Sequence, residues 1–145
     1  KILKGEKIID QADIDIDIGI YGFIPEEIIP QAELRLSIYK EISSIKENKN
    51  LEQNKKDFID RFGDVTSEIT NLYELSKLKN IARKLNILGI KYRDENFSLK
   101  LADDSRLIPP SSKIREIKVS AKDIKSDRLT FIMSKLESFL DKNEI

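Results

Sequence analysis

The residues best placed to do chemistry are carboxylates. Gln53, Asp57, Asp60 and Asp64 recur at spacings of 4, 3 and 4, which on a helix lines them along one face. Leu51, Lys55, Phe58 and Phe62 keep the same spacing, displaced by two residues or about 200 degrees of helical rotation. The acidic row therefore faces solvent if the apolar stripe faces a core. Such a row is either a solvated face or a docking surface for basic groups of a partner. Arg61, four residues after Asp57, offsets part of its charge. Asp13, Asp15 and Asp17 alternate with isoleucines, the period of a strand with one buried face. A calcium loop of that spacing needs a glycine turn, so an edge strand with its aspartates in water is the better reading. Glu26-Glu27, Asp57 with Asp60, and Asp103-Asp104 are the other carboxylate pairs. An acid–base couple needs surroundings that drive its two pKa values apart, usually by aromatic burial. Here Trp is absent and aromatics make up 7% of the chain.

Other catalytic classes lack their parts. The 145 residues contain no His and no Cys, which removes the usual nucleophilic triads and zinc sites. No glycine-rich phosphate cradle occurs. Asp94-Glu95 follows Lys91 and Arg93 rather than an apolar strand, so it reads as a hairpin turn. No catalytic, cofactor-binding or metal residue is expected. Lys plus Arg and Asp plus Glu each number 26, for a net charge of zero, and this balance gives no overall footprint for nucleic acid. One basic cluster stands out: Lys113, Arg115, Lys118, Lys122 and Lys125, interrupted by Glu116 and Asp123. It supports the alternative reading of a DNA-contacting accessory domain. There is no apolar run long enough to span a membrane and no signal-peptide pattern. With no cysteine, the chain is expected in the cytoplasm. A start at Lys1 points to a piece of something larger.

The elements that must position these groups follow from periodicity. Residues 1–12 read as a linker and 13–145 as a single domain, a length that buries roughly 70% of the unfolded surface. A strand is predicted at 13–18, followed by an extended segment around Pro25 and Pro30. Helices are predicted at about 31–48, 51–62 and 67–86, with Asn48-Lys49-Asn50 as a break and Gly63 as a stop. Asp64 or Thr66 would cap the third helix. Strands at 90–93 and 97–101 flank a turn, a loop covers 103–113, and a further strand is predicted at 114–119. Residues 128–133 fit either period and are read as a strand leading into a final helix at 134–142. Helices followed by a small, mainly antiparallel sheet and a C-terminal helix make an α+β fold.

Residues 13–101 also resemble the C-terminal domain of the bacterial transcription-repair coupling factor. The resemblance rests on Ile24-Pro25-Glu26-Glu27-Ile28-Ile29-Pro30, then Leu34-Arg35-Leu36-Ser37-Ile38-Tyr39-Lys40. Phe58-Ile59-Asp60-Arg61-Phe62-Gly63 and Ala82-Arg83-Lys84-Leu85-Asn86-Ile87 complete it, in the family's order and spacing. The chain departs from the pattern at Ile28, where the family commonly has Tyr or Phe, and at Glu41, where it has a basic residue. Asp64-Val65-Thr66 stands where the family usually has prolines.

The resemblance implies a non-catalytic regulatory domain of an ATP-dependent DNA translocase that displaces stalled RNA polymerase and recruits nucleotide excision repair. It implies a domain that folds back on the parent chain's N-terminal excinuclease-B-like module and masks recruitment of excinuclease A. Asp57 and Asp60 correspond to acidic positions of that clamp, with Arg61 and Asp64 beside them.

Overall fold

The computed structural model describes residues 14–63, 65–109 and 111–143. The expected linker 1–12, Asp13, Asp64 and Pro110 lie outside the described residues. The element order is β1 (Asp15–Asp17), α1 (Ala32–Ser44), α2 (Asn48–Phe62), α3 (Ser67–Lys84), β2 (Ile87–Arg93), β3 (Asn96–Leu101), β4 (Glu116–Ser120) and α4 (Arg128–Asn143). The fold is α+β, with a mainly antiparallel sheet. The described residues divide into two compact units: a helical unit, Ile20–Asn80, and a sheet unit made of the described residues up to Gly19 together with those from Ile81 onward. The division falls within α3.

In the helical unit the two prolines keep residues 24–30 out of any strand ladder, and a turn forms instead. The N–H groups of Ile28 and Ile29 both donate to the Pro25 carbonyl, at 3.0 and 3.2 Å. Helix α1 then fastens this segment. Ile24 N–H donates to the Tyr39 hydroxyl at 2.7 Å, and Arg35 Nη1 donates to the carbonyls of Ile29 and Pro30 at 2.8 and 3.0 Å. Ile24 and Ile29 are thereby pressed into a core with Ile38, Ile42, Leu51, Phe58, Ile69 and Tyr73. Burying each of these aliphatic side chains is worth about 1.5–3 kcal/mol.

Helix α1 is shorter than its periodicity predicts. It ends at Ser44, and Ile45 turns extended. Asn80, only 4% exposed, donates to the Ile45 carbonyl and to Asn48 Oδ1, both at 3.0 Å. This polar clamp fixes the corner, so Asn48-Lys49-Asn50 forms the first turn of α2 rather than a break. Gly63 ends α2 with φ +90, a conformation that disfavours other residues. Thr66 caps α3, its Oγ1 accepting from Ile69 N–H at 3.3 Å.

The sheet has the order β1-β2-β3-β4. Edge strand β1 runs parallel to β2, with Asp15 opposite Gly89 and Asp17 opposite Lys91, while β2–β3 and β3–β4 are antiparallel. Asp94 and Glu95 both have positive φ, 51 and 61, which is the two-residue hairpin geometry that suits strand twist. Strand β2 begins at Ile87, earlier than predicted, because Asn86 leaves α3 with φ 55; an irregularity in register between Ile87 and Gly89 follows.

One element corrects the sequence reading. Residues 128–133 are helical, the opening turns of α4, not a strand. Asp127 caps the helix: Oδ1 accepts from Thr130 N–H at 2.8 Å and Oδ2 from the Thr130 hydroxyl at 3.0 Å. Leu129, Ile132 and Leu136 are buried, a helical spacing, while Phe131 stacks on Phe97 of β3 with centroids 5.9 Å apart.

Candidate docking face on helix α2

Helix α2 buries Leu51 and Phe58 at 0% and 5% exposure, and its opposite side carries Gln53, Asp57 and Asp60, all exposed. Phe58 is held edge-on to Tyr73, with ring centroids 6.5 Å apart, and tilts against Phe62 at 4.8 Å. These contacts fix the rotation of the helix about its axis, and with it the direction of the carboxylates. Gln53 Nε2 donates to Asp57 Oδ1 at 3.0 Å. No salt bridge engages Asp57 or Asp60 among the described residues. Arg61, which the spacing pairs with Asp57, instead lies with its guanidinium 4.9 Å from the Phe62 ring centroid. Cation–π stacking holds it over the ring face. Asp64 lies outside the described residues.

The face extends further than the α2 row. Glu41 of α1 accepts from Asn54 Nδ2 at 2.5 Å, and Asn54 Oδ1 accepts from the Tyr73 hydroxyl at 2.6 Å. Burial raises the Tyr73 pKa, and the negative charges of Glu41 and Asp57 raise it further. Glu41, Asn54, Asp57 and Arg61 rim a crevice floored by Ile38, Phe58 and Phe62. Its volume is about 50 Å³, far below the hundreds of Å³ of a small-molecule pocket. The arrangement can offer carboxylates to cationic groups at a surface; it does not enclose a substrate. Glu41 and Asn54 were not singled out for this face in the sequence, because one lies on another helix and the other is a lone amide. Their only signal is the departure from the family pattern at Glu41.

The remaining candidates are scattered. Asp15 and Asp17 are exposed on β1, and no group of three or more potential metal ligands occurs among the described residues. Lys113, Arg115, Lys118, Lys122 and Lys125 are all exposed along β4 and its flanking loops, with Arg115 bridged to Asp103 at 2.8 Å. Among the described residues no helix is long and apolar enough to cross a membrane.

Residues 18–112 match the family model described as the TRCF domain. The transcription-repair-coupling factor of Rickettsia conorii (strain ATCC VR-613 / Malish 7) is 30% identical over 146 residues, covering 99% of this chain. The chain belongs to the transcription-repair coupling factor family. The factor of Borreliella burgdorferi is 32% identical over 108 residues and 74% of the chain. That of Escherichia coli K12 is 28% identical over 95 residues and 66% of the chain. The chain spans only a small part of these relatives, 13%, 9% and 8% of their lengths. A crystal structure of the C-terminal domain of transcription-repair coupling factor shares the fold, with a TM-score of 0.70 at 19% identity, covering 81% of this chain and 84% of that one. Family membership makes the chain a domain of a coupling factor.

Proposed function

We propose that this chain is a regulatory docking domain that folds back on the N-terminal excinuclease-B-like module of its parent factor and masks recruitment of excinuclease A. In this reading residues 13–145 act as one domain behind a linker at 1–12, without catalysis or cofactor of their own, in the cytoplasm. RNA polymerase and excinuclease A are then indirect partners. The observation that carries it is the aimed and unneutralised state of Asp57 and Asp60: α2 is locked by Phe58, yet neither carboxylate has a cationic partner among the described residues.

Carboxylates on a rigid helix meet partner arginines as charge-assisted, bidentate pairs. Exposed pairs of this kind contribute ~0.2–1 kcal/mol each. Several together bias a closed state by a few kcal/mol while leaving it able to open. The family's motor context lends the reading its purpose, since a latch on a repair surface needs to yield when the motor engages a stalled polymerase.

The test is the double variant Asp57→Ala, Asp60→Ala in the full-length parent, with excinuclease A capture measured by pull-down. Capture is expected to rise severalfold with this domain still folded. Unchanged capture would remove those two residues from the clamp.

A further inference from the structure

The basic cluster at 113–125 has no role in the α2 reading, and its location in the fold gives it one of its own. β4 is the last strand of the sheet, and no strand pairs with its outer side among the described residues. Its hydrogen-bond phase is bracketed at both ends: Leu101 N–H donates to the Arg115 carbonyl and Ala121 N–H to the Glu95 carbonyl, each at 2.8 Å. With Leu99 opposite Ile117 and Phe97 opposite Val119, the inward-bonding residues of β4 are Arg115, Ile117, Val119 and Ala121. Antiparallel ladders alternate strictly. The N–H and C=O groups of Glu116, Lys118 and Ser120 therefore point outward along an open edge.

Charge lies along that same edge. From Lys113 to Lys125 there are five cations and two carboxylates, and Lys113, Arg115, Lys118, Lys122 and Lys125 are all exposed. A single lysine on an edge strand serves to discourage strand addition. Lys118 alone fits that role, but Lys113 before the strand and Lys122 and Lys125 after it do not. They extend the positive potential past both ends of the edge, as a longer anionic partner requires. Ile114, 51% exposed at the entry to β4, adds an apolar contact there.

We propose that the free edge of β4 takes an acidic, extended peptide segment of a partner protein as a fifth strand. Main-chain pairing with Glu116, Lys118 and Ser120 supplies the affinity, and the flanking cations select for carboxylates. Nucleic acid fits the charge but not the backbone: phosphodiesters only accept hydrogen bonds, so the three outward carbonyls would stay unmatched. This proposal does not depend on the α2 reading.

The test titrates the 145-residue chain with a fluorescein-labelled peptide of alternating Glu and Val. Controls are its Lys/Val counterpart, an analogue N-methylated on successive central residues so that both edges are blocked, and a single-stranded oligodeoxynucleotide. Saturable binding of the Glu/Val peptide is expected, with amide resonance shifts at Glu116, Lys118 and Ser120. The N-methylated analogue is expected to bind ~10-fold more weakly or worse, a loss of about 1.4 kcal/mol. Lys118→Glu with Lys122→Glu, both surface changes, should weaken the peptide to a similar degree while the circular dichroism spectrum is unchanged. Equal binding of the N-methylated analogue, shifts elsewhere than β4, stronger binding of the oligodeoxynucleotide, or no saturation below ~1 mM would each overturn the proposal.

Discussion

The Tyr73 hydroxyl of α3 donates to Asn54 Oδ1 of α2 at 2.6 Å, and Asn54 passes the chain on to Glu41 of α1 through its amide. One buried phenol thus ties three helices beneath the acidic face. A polar group desolvated in this way is stable only while it is protonated and paired.

Tyr73→Phe should therefore destabilise the chain by about 1–2 kcal/mol, the loss of one buried hydrogen bond with its acceptor left behind. It should also change the alkaline limb of stability. The folded pKa of Tyr73 is raised above its ordinary value of 10.0, chiefly by burial. The stabilisation is complete below pH 10 and is lost as pH climbs from 10 toward the folded value. Its slope is ~1.4 kcal/mol per pH unit. Urea unfolding at pH 8 and pH 11 checks this: the variant should lose less stability than the parent over that interval. Equal losses would mean that another group controls alkaline unfolding.

Much of this region is legible in the sequence, and the exceptions have physical causes. The 4-3-4 spacing of Leu51, Lys55, Phe58 and Phe62 and the stop at Gly63 are local signals, so α2 and the direction of its carboxylates follow from them. The corner at Ile45 depends on Asn80, which lies 35 residues away in sequence, and no local pattern announces it. At 128–133 two periods fit equally well, and only the Asp127 cap decides between them. The recognisable Ile-Pro and Leu-Arg strings prove to be one packing unit, since Arg35 and Tyr39 hold the segment bounded by Pro25 and Pro30.

The Asp127 cap yields an acid-limb prediction. The Thr130 backbone N–H, then its hydroxyl, hold the carboxyl below its ordinary value of 3.8. A lowered pKa contributes stability that is present above 3.8 and lost as pH falls through the folded value. Asp127→Ala should cost ~1 kcal/mol at neutral pH, and the gap between parent and variant should narrow as pH falls below 3.8 through the folded value. Thermal melts across pH 2–7 follow it. A gap that is constant with pH would mean that the cap does not depend on the ionised carboxylate.

Gly22 marks a different kind of constraint. A Cβ added there would sit 2.3 Å from the backbone nitrogen of Leu72 and 2.4 Å from its Cα. Backbone cannot swing aside as a flexible side chain can. Phe23 N–H, next along, already bonds the Glu68 carbonyl at 3.1 Å, so the approach to α3 is fixed. Gly22→Ala should destabilise by ~3 kcal/mol or more, at the upper end for overpacking, as read by the urea midpoint. A loss under ~1 kcal/mol would show that the segment can lift off α3 at little expense.

The last prediction separates charge from architecture on the proposed docking face. Glu41 accepts from Asn54 and shares the crevice rim with Asp57, so its carboxylate both braces the Tyr73 chain and adds to the acidic potential. Glu41→Gln keeps an acceptor for Asn54 and removes the charge, which leaves folding stability essentially unchanged. If the face docks cations, binding of the parent's N-terminal module supplied in trans should weaken by about 2- to 5-fold, the scale of one exposed ion pair. Glu41→Ala, which removes the brace as well, should weaken binding similarly but also lower the melting temperature. If Glu41→Gln binds like the parent chain while Asp57→Asn does not, the electrostatic contact is confined to the row on α2, and Glu41 serves only to hold Asn54 in place.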